Sequence, residues 1–132
     1  MAEPILFPDA VEIACDYLDS LVGEPVFSRV PNPRPPEFYT ITRTGGVQRN
    51  IVTDEPQLTV EAWAQTDAEA QDMAQIARAY LHAAVGVVVN GTAIYRVDEL
   101  AGPSNFPDPI SGQPRYSQSF SVAARGEVLT GS

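Results

Sequence analysis

Three kinds of side chain in this sequence could do chemistry: one histidine, one cysteine and several neighbouring carboxylates. A zinc site needs a cluster of His, Cys or carboxylate ligands. His82 has no second histidine, and on a helical projection it falls with Gln71, Gln75 and Arg78, away from the apolar side. It reads as a solvated surface residue. Cys15 lies in an apolar stripe, where a thiol serves as a small core group; a nucleophilic cysteine needs cationic surroundings that hold the thiolate. The carboxylates Asp54/Glu55 and Asp98/Glu99 are neighbours in sequence. Neighbours on a strand point to opposite faces, so neither pair converges on one proton. The stretch "RTGGVQ" has neither the lysine nor the glycine spacing of a phosphate loop and reads as a hairpin turn. Asn90-Gly91-Thr92 matches a glycosylation sequon, but that modification needs export, and the start "MAEPILFPDA" has no basic segment followed by a long apolar one. These residues predict no enzyme, no metal and no cofactor.

The elements that would position these groups are marked by periodicity. In "DAVEIACDYLDSLV" (9–22), Val11, Ala14, Cys15, Leu18, Leu21 and Val22 recur at helical spacing; Asp9 with Glu12 forms a capping pair, and Gly23 and Pro25 supply the stop. "PVFSRV" is a short strand. Four prolines within 31–36 remove ladder donors and imply an extended surface loop. "EFYTITRT" resumes a β-type run, Gly45-Gly46 offers the positive φ of a tight hairpin, and "VQRNIVTDEP" returns as part strand and part loop. "QLTVEAWAQ" alternates, with Leu58, Val60, Ala62 and Ala64 on one side and Thr59, Glu61, Trp63 and Gln65 on the other. Thr66 and Glu69 then form a capping box for a second helix whose buried stripe is Ala70, Met73, Ala74, Ala77, Tyr80, Leu81 and Ala84. Asn90-Gly91 marks a β-hairpin. A loop with Pro103, Pro107, Pro109 and Pro114 leads to a last alternating strand, and residues 127–132 read as a flexible tail beyond a single domain at 1–126.

The order helix, strands, helix, hairpin, strand predicts an α+β domain, mainly antiparallel, with two helices packed on one face of the sheet. At 132 residues the chain is long enough for one core without a disulfide or metal scaffold. A single cysteine fits a reducing compartment such as the cytoplasm, and no apolar run reaches the roughly 18 residues of a membrane span. The net charge is −9, and the eight basic residues, all arginine, are scattered. Tight nucleic-acid binding draws on clustered cations, so this composition argues against it.

Two features exceed what a solitary monomer needs. Trp63 lies on the polar side of its strand, and in "QPRYSQSFSVAARG" the residues Ser117, Ser119 and Ser121 line the side opposite Tyr116, Gln118, Phe120, Val122 and Ala124. Trp63 either packs beneath the proline-rich loop or anchors a subunit contact, where tryptophan is enriched. The serine row meets either water or protein.

The segments "RTGGVQRNIVTDEPQLTVEAWAQTDAEAQDMA" and "GQPRYSQSFSVAARG" resemble the tail terminator proteins of long-tailed bacteriophages, particularly those infecting actinobacteria. The carriers are the Arg43-x-Gly45-Gly46 turn, Asp54, the Glu61-Ala62-Trp63-Ala64 strand end, and Arg115-Tyr116 with Phe120. The resemblance implies a structural virion protein that forms a homohexameric ring on the last ring of the tail tube, ends tube polymerisation and presents a joining surface to the head connector. It implies contact with copies of itself, the tail tube protein and a head-closure or connector protein, with DNA passing through unbound, at the virion neck after assembly in the host cytoplasm. Arg43, Gly45, Gly46, Arg49, Trp63, Arg34, Ser117 and Ser119 are the expected interface residues. The alternatives are another head–tail joining component and a small cytosolic ligand-binding domain.

Overall fold

In a computed structural model, which describes residues 4–48 and 53–128, a short strand β1 (Ile5–Leu6) precedes helix α1 (Ala10–Asp19). The predicted cap forms: the Glu12 backbone N–H donates to Asp9 Oδ1 at 3.1 Å. The buried face of α1 is rotated from the expected stripe, because Ile13 and Tyr17 join Ala10, Ala14 and Leu18 in the core while Leu21 is exposed. Val11 and Cys15 are only half-buried at its flank. Two overlapping sets at i, i+3, i+4 exist in this segment, and the larger side chains take the core.

After β2 (Val26–Phe27), the strands β3 (Phe38–Gln48) and β4 (Thr53–Trp63) form a long antiparallel ladder, followed by helix α2 (Asp67–His82). The capping box is present, with the Glu69 N–H donating to Thr66 Oγ1 at 3.2 Å. Ala70, Met73, Ala74, Ala77, Leu81 and Ala84 are buried as the stripe requires, and Tyr80 is half-buried beside them. Small residues let α2 lie close on the sheet, where the Tyr39 hydroxyl donates to Met73 O at 2.8 Å and Gln118 Nε2 donates to Ala74 O at 2.9 Å.

The chain continues through β5 (Val88–Val89), β6 (Thr92–Asn105), β7 (Arg115–Arg125) and β8 (Glu127–Val128). The Asn90-Gly91 hairpin between β5 and β6 is as expected, with φ of 52° and 79°, the left-handed pair that a two-residue turn demands. The large sheet has the order β2-β3-β4-β7-β6-β5, with β2 parallel to β3 and the remaining pairs antiparallel; β1 and β8 make a separate two-stranded ribbon. Both helices pack on one face of this sheet, α1 against β3 and β2, and α2 against β7, β6 and β4. The result is the single small α+β domain that the element order implies.

Three expectations need correction. Gly45-Gly46 is not the hairpin turn, because pairing runs past it to Gln48↔Asp54; the glycines form a bulge, with a register shift between Arg43 and Gly45. A bulge and a tight turn both draw on positive φ, here 138° and 97°, so glycine alone does not separate them. Pro103 belongs to β6, not to a loop. That strand is interrupted by three register shifts, and β5 pairs with it only at Thr92 and Ala93, so at Pro103 its outer side has no ladder bond to lose. The proposed tail begins as a strand, since Glu127 pairs with Leu6 and Val128 with Ile5, while residues 129–132 lie outside the described residues.

Candidate functional site

The ladder registers place the face of the sheet away from the helices. Phe38↔Trp63, Thr40↔Glu61 and Thr42↔Thr59 pair between β3 and β4; Trp63↔Arg115, Glu61↔Ser117 and Thr59↔Ser119 pair between β4 and β7; Asp98↔Ser121, Ala101↔Ser119 and Ser104↔Ser117 continue onto β6. Directly paired residues share a face, so one row of alternate positions on four strands forms this surface. It has two unlike parts.

At one end the chain closes on itself around Trp63, which is only 3% exposed. Its ring stacks on Phe38 with centroids 5.2 Å apart and planes at 13°. The Arg115 guanidinium lies 4.8 Å from the Trp63 ring centroid and that of Arg34 5.4 Å away. The indole N–H donates to Thr40 Oγ1 at 2.9 Å, Thr40 Oγ1 is 3.4 Å from Glu61 Oε1, and Glu61 Oε2 is 3.3 Å from Arg115 Nε. Arg115 Nε also donates to Phe106 O at 2.8 Å. Each polar side chain of this corner thus has at least one partner from the same chain. The idea that Trp63 offers an open anchor to a neighbouring subunit is corrected: the proline-rich loop, through Arg34, covers it. Arg34 itself reaches Asp108, Ser111 and Gln113 through Nη1, at 3.4, 3.2 and 3.2 Å.

Away from that corner the surface is a field of short hydroxyl side chains. Thr42, Thr59, Ser117, Ser119 and Ser121 are half-buried, the exposure expected of small groups on central strands with no element above them. Among the described elements, neither helix contacts this face. The field runs into the β3–β4 arm, in which 43–48 are exposed. Arg43 braces the arm: Nη1 and Nη2 meet Asp54 Oδ2 and Oδ1 at 3.0 and 3.2 Å, a bidentate pair, and Nε donates to Gly45 O at 3.0 Å. The expected site residues therefore separate. Ser117 and Ser119 lie in the open field, Arg43, Gly45 and Gly46 in the arm, Trp63 and Arg34 in the closed corner, and Arg49 lies outside the described residues.

His82, Arg78 and Glu99 form one structural cluster. His82 Nε2 lies 3.0 Å from Glu99 Oε1, and Arg78 grips the same carboxylate at 2.5 and 2.9 Å, joining α2 to β6. Hydrogen bonds from Arg78 and then His82 hold the Glu99 carboxyl below its ordinary value. The histidine read as merely solvated thus has a carboxylate partner, which the sequence does not reveal because the two lie seventeen positions apart. Burial, with Asp16, Asp9 and Asp19 nearby, pushes the Cys15 thiol up to about 11. At neutral pH that thiol is protonated and a poor nucleophile. Among the described residues no group of three or more His, Cys, Asp or Glu could hold a metal ion, and no helix is long and apolar enough to cross a membrane.

Asp108 is the residue that sequence reasoning missed. Its Oδ2 accepts from Ser111 Oγ at 2.5 Å and from Ser111 N at 3.1 Å, fixing the turn between β6 and β7. The Ser111 hydroxyl first, then the Ser111 N–H, Arg34 and the Ile110 N–H, hold its carboxyl down at about 2. The Asp-x-x-Ser spacing at 108–111 was the available signal.

Comparison with known protein families finds no matching family model, and comparison with the curated proteins finds no match.

Proposed function

We propose that this chain is a structural assembly protein that forms a ring on the end of a phage tail tube, stops tube growth and offers the ring's other side to a head connector. The observation that carries this reading is the uncovered hydroxyl field on the sheet face opposite the helices, continuous with a long braced arm. A ring requires a heterologous contact, one patch of a subunit against a different patch of the next, closing after a fixed number of steps. An arm and an open sheet face are two such patches. Short hydroxyl side chains suit the receiving face, since they allow close backbone approach and each hydroxyl can both donate and accept; Thr59 Oγ1 already lies 3.0 Å from Thr44 Oγ1. The resemblance of the arm and the last strand to tail terminators supplies the identity of the assembly. The net charge of −9 suits a pore through which DNA slides without being held.

The test is imaging of the purified chain, alone and mixed with tail tubes. Discs with a central hole seated on tube ends are expected. Discs that bind a connector and ignore tubes would move the protein to the other side of the joint, and a strict monomer in both samples would end the assembly reading.

A further inference from the structure

Ile110 is 92% exposed, and its neighbour Phe106 is 58% exposed, on the turn between β6 and β7. An exposed apolar side chain on a loose loop needs no explanation, but this turn is fixed. Asp108 takes two hydrogen bonds from Ser111, the Gly112 N–H donates to Asp108 O at 2.8 Å, the Asp108 N–H to Gln113 O at 3.0 Å, and Gln113 Nε2 to Ala64 O at 3.3 Å. Arg34 adds its bonds from outside. The chain therefore holds an isoleucine rigidly in water, where it contributes nothing to the core. Such ordering before contact lowers the entropic cost of binding.

A recipient lies at the other end of the domain. A cleft of about 640 Å³ opens between the end of α1 and β5, lined by Tyr17, Leu21, Tyr80 and Val88 and bounded by Asp16 and Asn90. Leu21 and Val88 are 42% and 65% exposed there, so apolar area is left uncovered. The Ile110 turn is tied to Ala64, just before α2, and the cleft lies against Tyr80 near its end. The sixteen residues of α2 separate the two by about 24 Å. One molecule cannot join its own two patches; two molecules can, head to tail.

Charge favours the same pairing. The last turn of α1 carries Asp16 and Asp19 and no basic residue, so acids sit at the negative end of a helix dipole, an arrangement that costs the isolated fold stability. Arg34 stands beside the Ile110 turn, with its side chain 38% exposed and its hydrogen bonds made through Nη1. Asp16, which lines the cleft and accepts from the neutral Asn90 Nδ2 at 2.7 Å, would gain a cationic partner from a neighbour's guanidinium.

We propose that Ile110 of one copy seats in the Tyr17–Leu21–Tyr80–Val88 cleft of a second copy, with Phe106 and Arg34 at its margin, as a heterologous contact between neighbours. This deepens the ring reading, on which it rests, by naming a contact that the arm and the hydroxyl field do not use.

The experiment is disulfide trapping in the full-length Cys15→Ser chain. Ile110→Cys and Val88→Cys are made as separate proteins and mixed under mild oxidation, alone and with tail tubes. Both positions are exposed, so both variants fold. Ile110→Cys mixed with an Ile76→Cys variant, exposed but outside the cleft, reports random collision. The expected result is a mixed dimer from the first pair in at least about tenfold excess over the second, because a specific contact raises the effective concentration of the two thiols. Equal yields from both pairs, or no mixed dimer under either condition, would overturn the proposal. Tube capping by the Cys15→Ser chain, scored in parallel, separates the two readings: capping without the cross-link rejects this contact and keeps the ring, whereas the cross-link without capping does the reverse.

Discussion

The Trp63 corner and the hydroxyl field occupy one face of one sheet, about 14 Å apart along β4 between Trp63 and Thr59 at the rise of a strand, yet the chain treats them oppositely. At the corner, two arginines, an aromatic ring, a threonine and a glutamate cover and satisfy Trp63. Over the field, the chain supplies mainly short side chains, with Glu61 at one margin and the Arg96 ion pairs to Asp98 and Glu55 at the other, and no covering helix. The comparison separates two properties that both look like interface signals in sequence. A tryptophan on the polar side of a strand is a large apolar area that the chain itself is able to hide, and here it does. A run of serines on the same face presents nothing that needs hiding, so it can stay open until a partner arrives.

Removing the ring gives the largest effect and tests the corner directly. Trp63→Ala leaves Phe38 unstacked and the Arg115 and Arg34 guanidinium groups without a π face, and an aromatic-to-alanine change in a buried site costs about 3–5 kcal/mol. Denaturant unfolding should show that loss. A cost near zero would mean the ring is not part of the fold and would restore Trp63 as an interface residue.

Next comes the arm. Gly46 has φ of 97°, and a Cβ added there would collide with the Glu55 carbonyl oxygen and come within 2.5 Å of Gln57 N, whereas at Gly45 it would meet open space. Gly46→Ala should therefore cost about 1–3 kcal/mol through forced backbone movement, and more than Gly45→Ala. Faster amide exchange in β3 and β4, confined to residues beyond the bulge, would locate the damage. If the two substitutions cost the same, the bulge geometry is wrong.

How far these regions were legible in the sequence follows from the same physics. Helix α2 could be read almost residue by residue, because a capping box and an alanine stripe are local signals. The Asn90-Gly91 hairpin was legible for the same reason. The Gly45-Gly46 assignment failed because turn and bulge place the same demand on φ, and only the register of the partner strand distinguishes them. The faces of β4 and β7 were correctly divided by alternation, so Trp63, Glu61, Ser117 and Ser119 were rightly grouped. What alternation cannot tell is which members of a face are covered: that depends on Arg34 arriving from a loop nearly thirty residues away, and on Asp108 drawing it in. The β1–β8 pair joins the two ends of the chain and has no local mark at all.

A smaller effect follows from pH. The Asp108 carboxyl is held near 2 by the bonds it accepts, below its ordinary value of 3.8. A depressed carboxyl contributes stability that is fully present above its unfolded pKa and is lost as pH falls through the folded one. Stability should thus decline between about pH 4 and pH 2 in a way that Asp108→Asn abolishes, with Trp63 fluorescence as the reporter through Arg34. The same decline in the Asn variant would assign it to other carboxylates.

The smallest expected effect on the fold is the sharpest test of the comparison. Ser119 stands on a central strand with Thr59 and Ala101 as direct neighbours and Glu61 and Asp98 at diagonal positions. Ser119→Lys places a long flexible cation over this field, where solvent can receive its head and the diagonal acids face it favourably. The unfolding free energy should move by no more than about 0.5 kcal/mol, as for surface sites generally. If the field receives a neighbour, however, the same side chain obstructs close approach and leaves a charge to be desolvated, and ring formation and tube capping should fail. Trp63→Ala and Ser119→Lys then form a crossed pair, one costly to folding and the other to assembly. A Ser119→Lys chain that still closes rings and caps tubes at wild-type concentrations would show that the field faces only water.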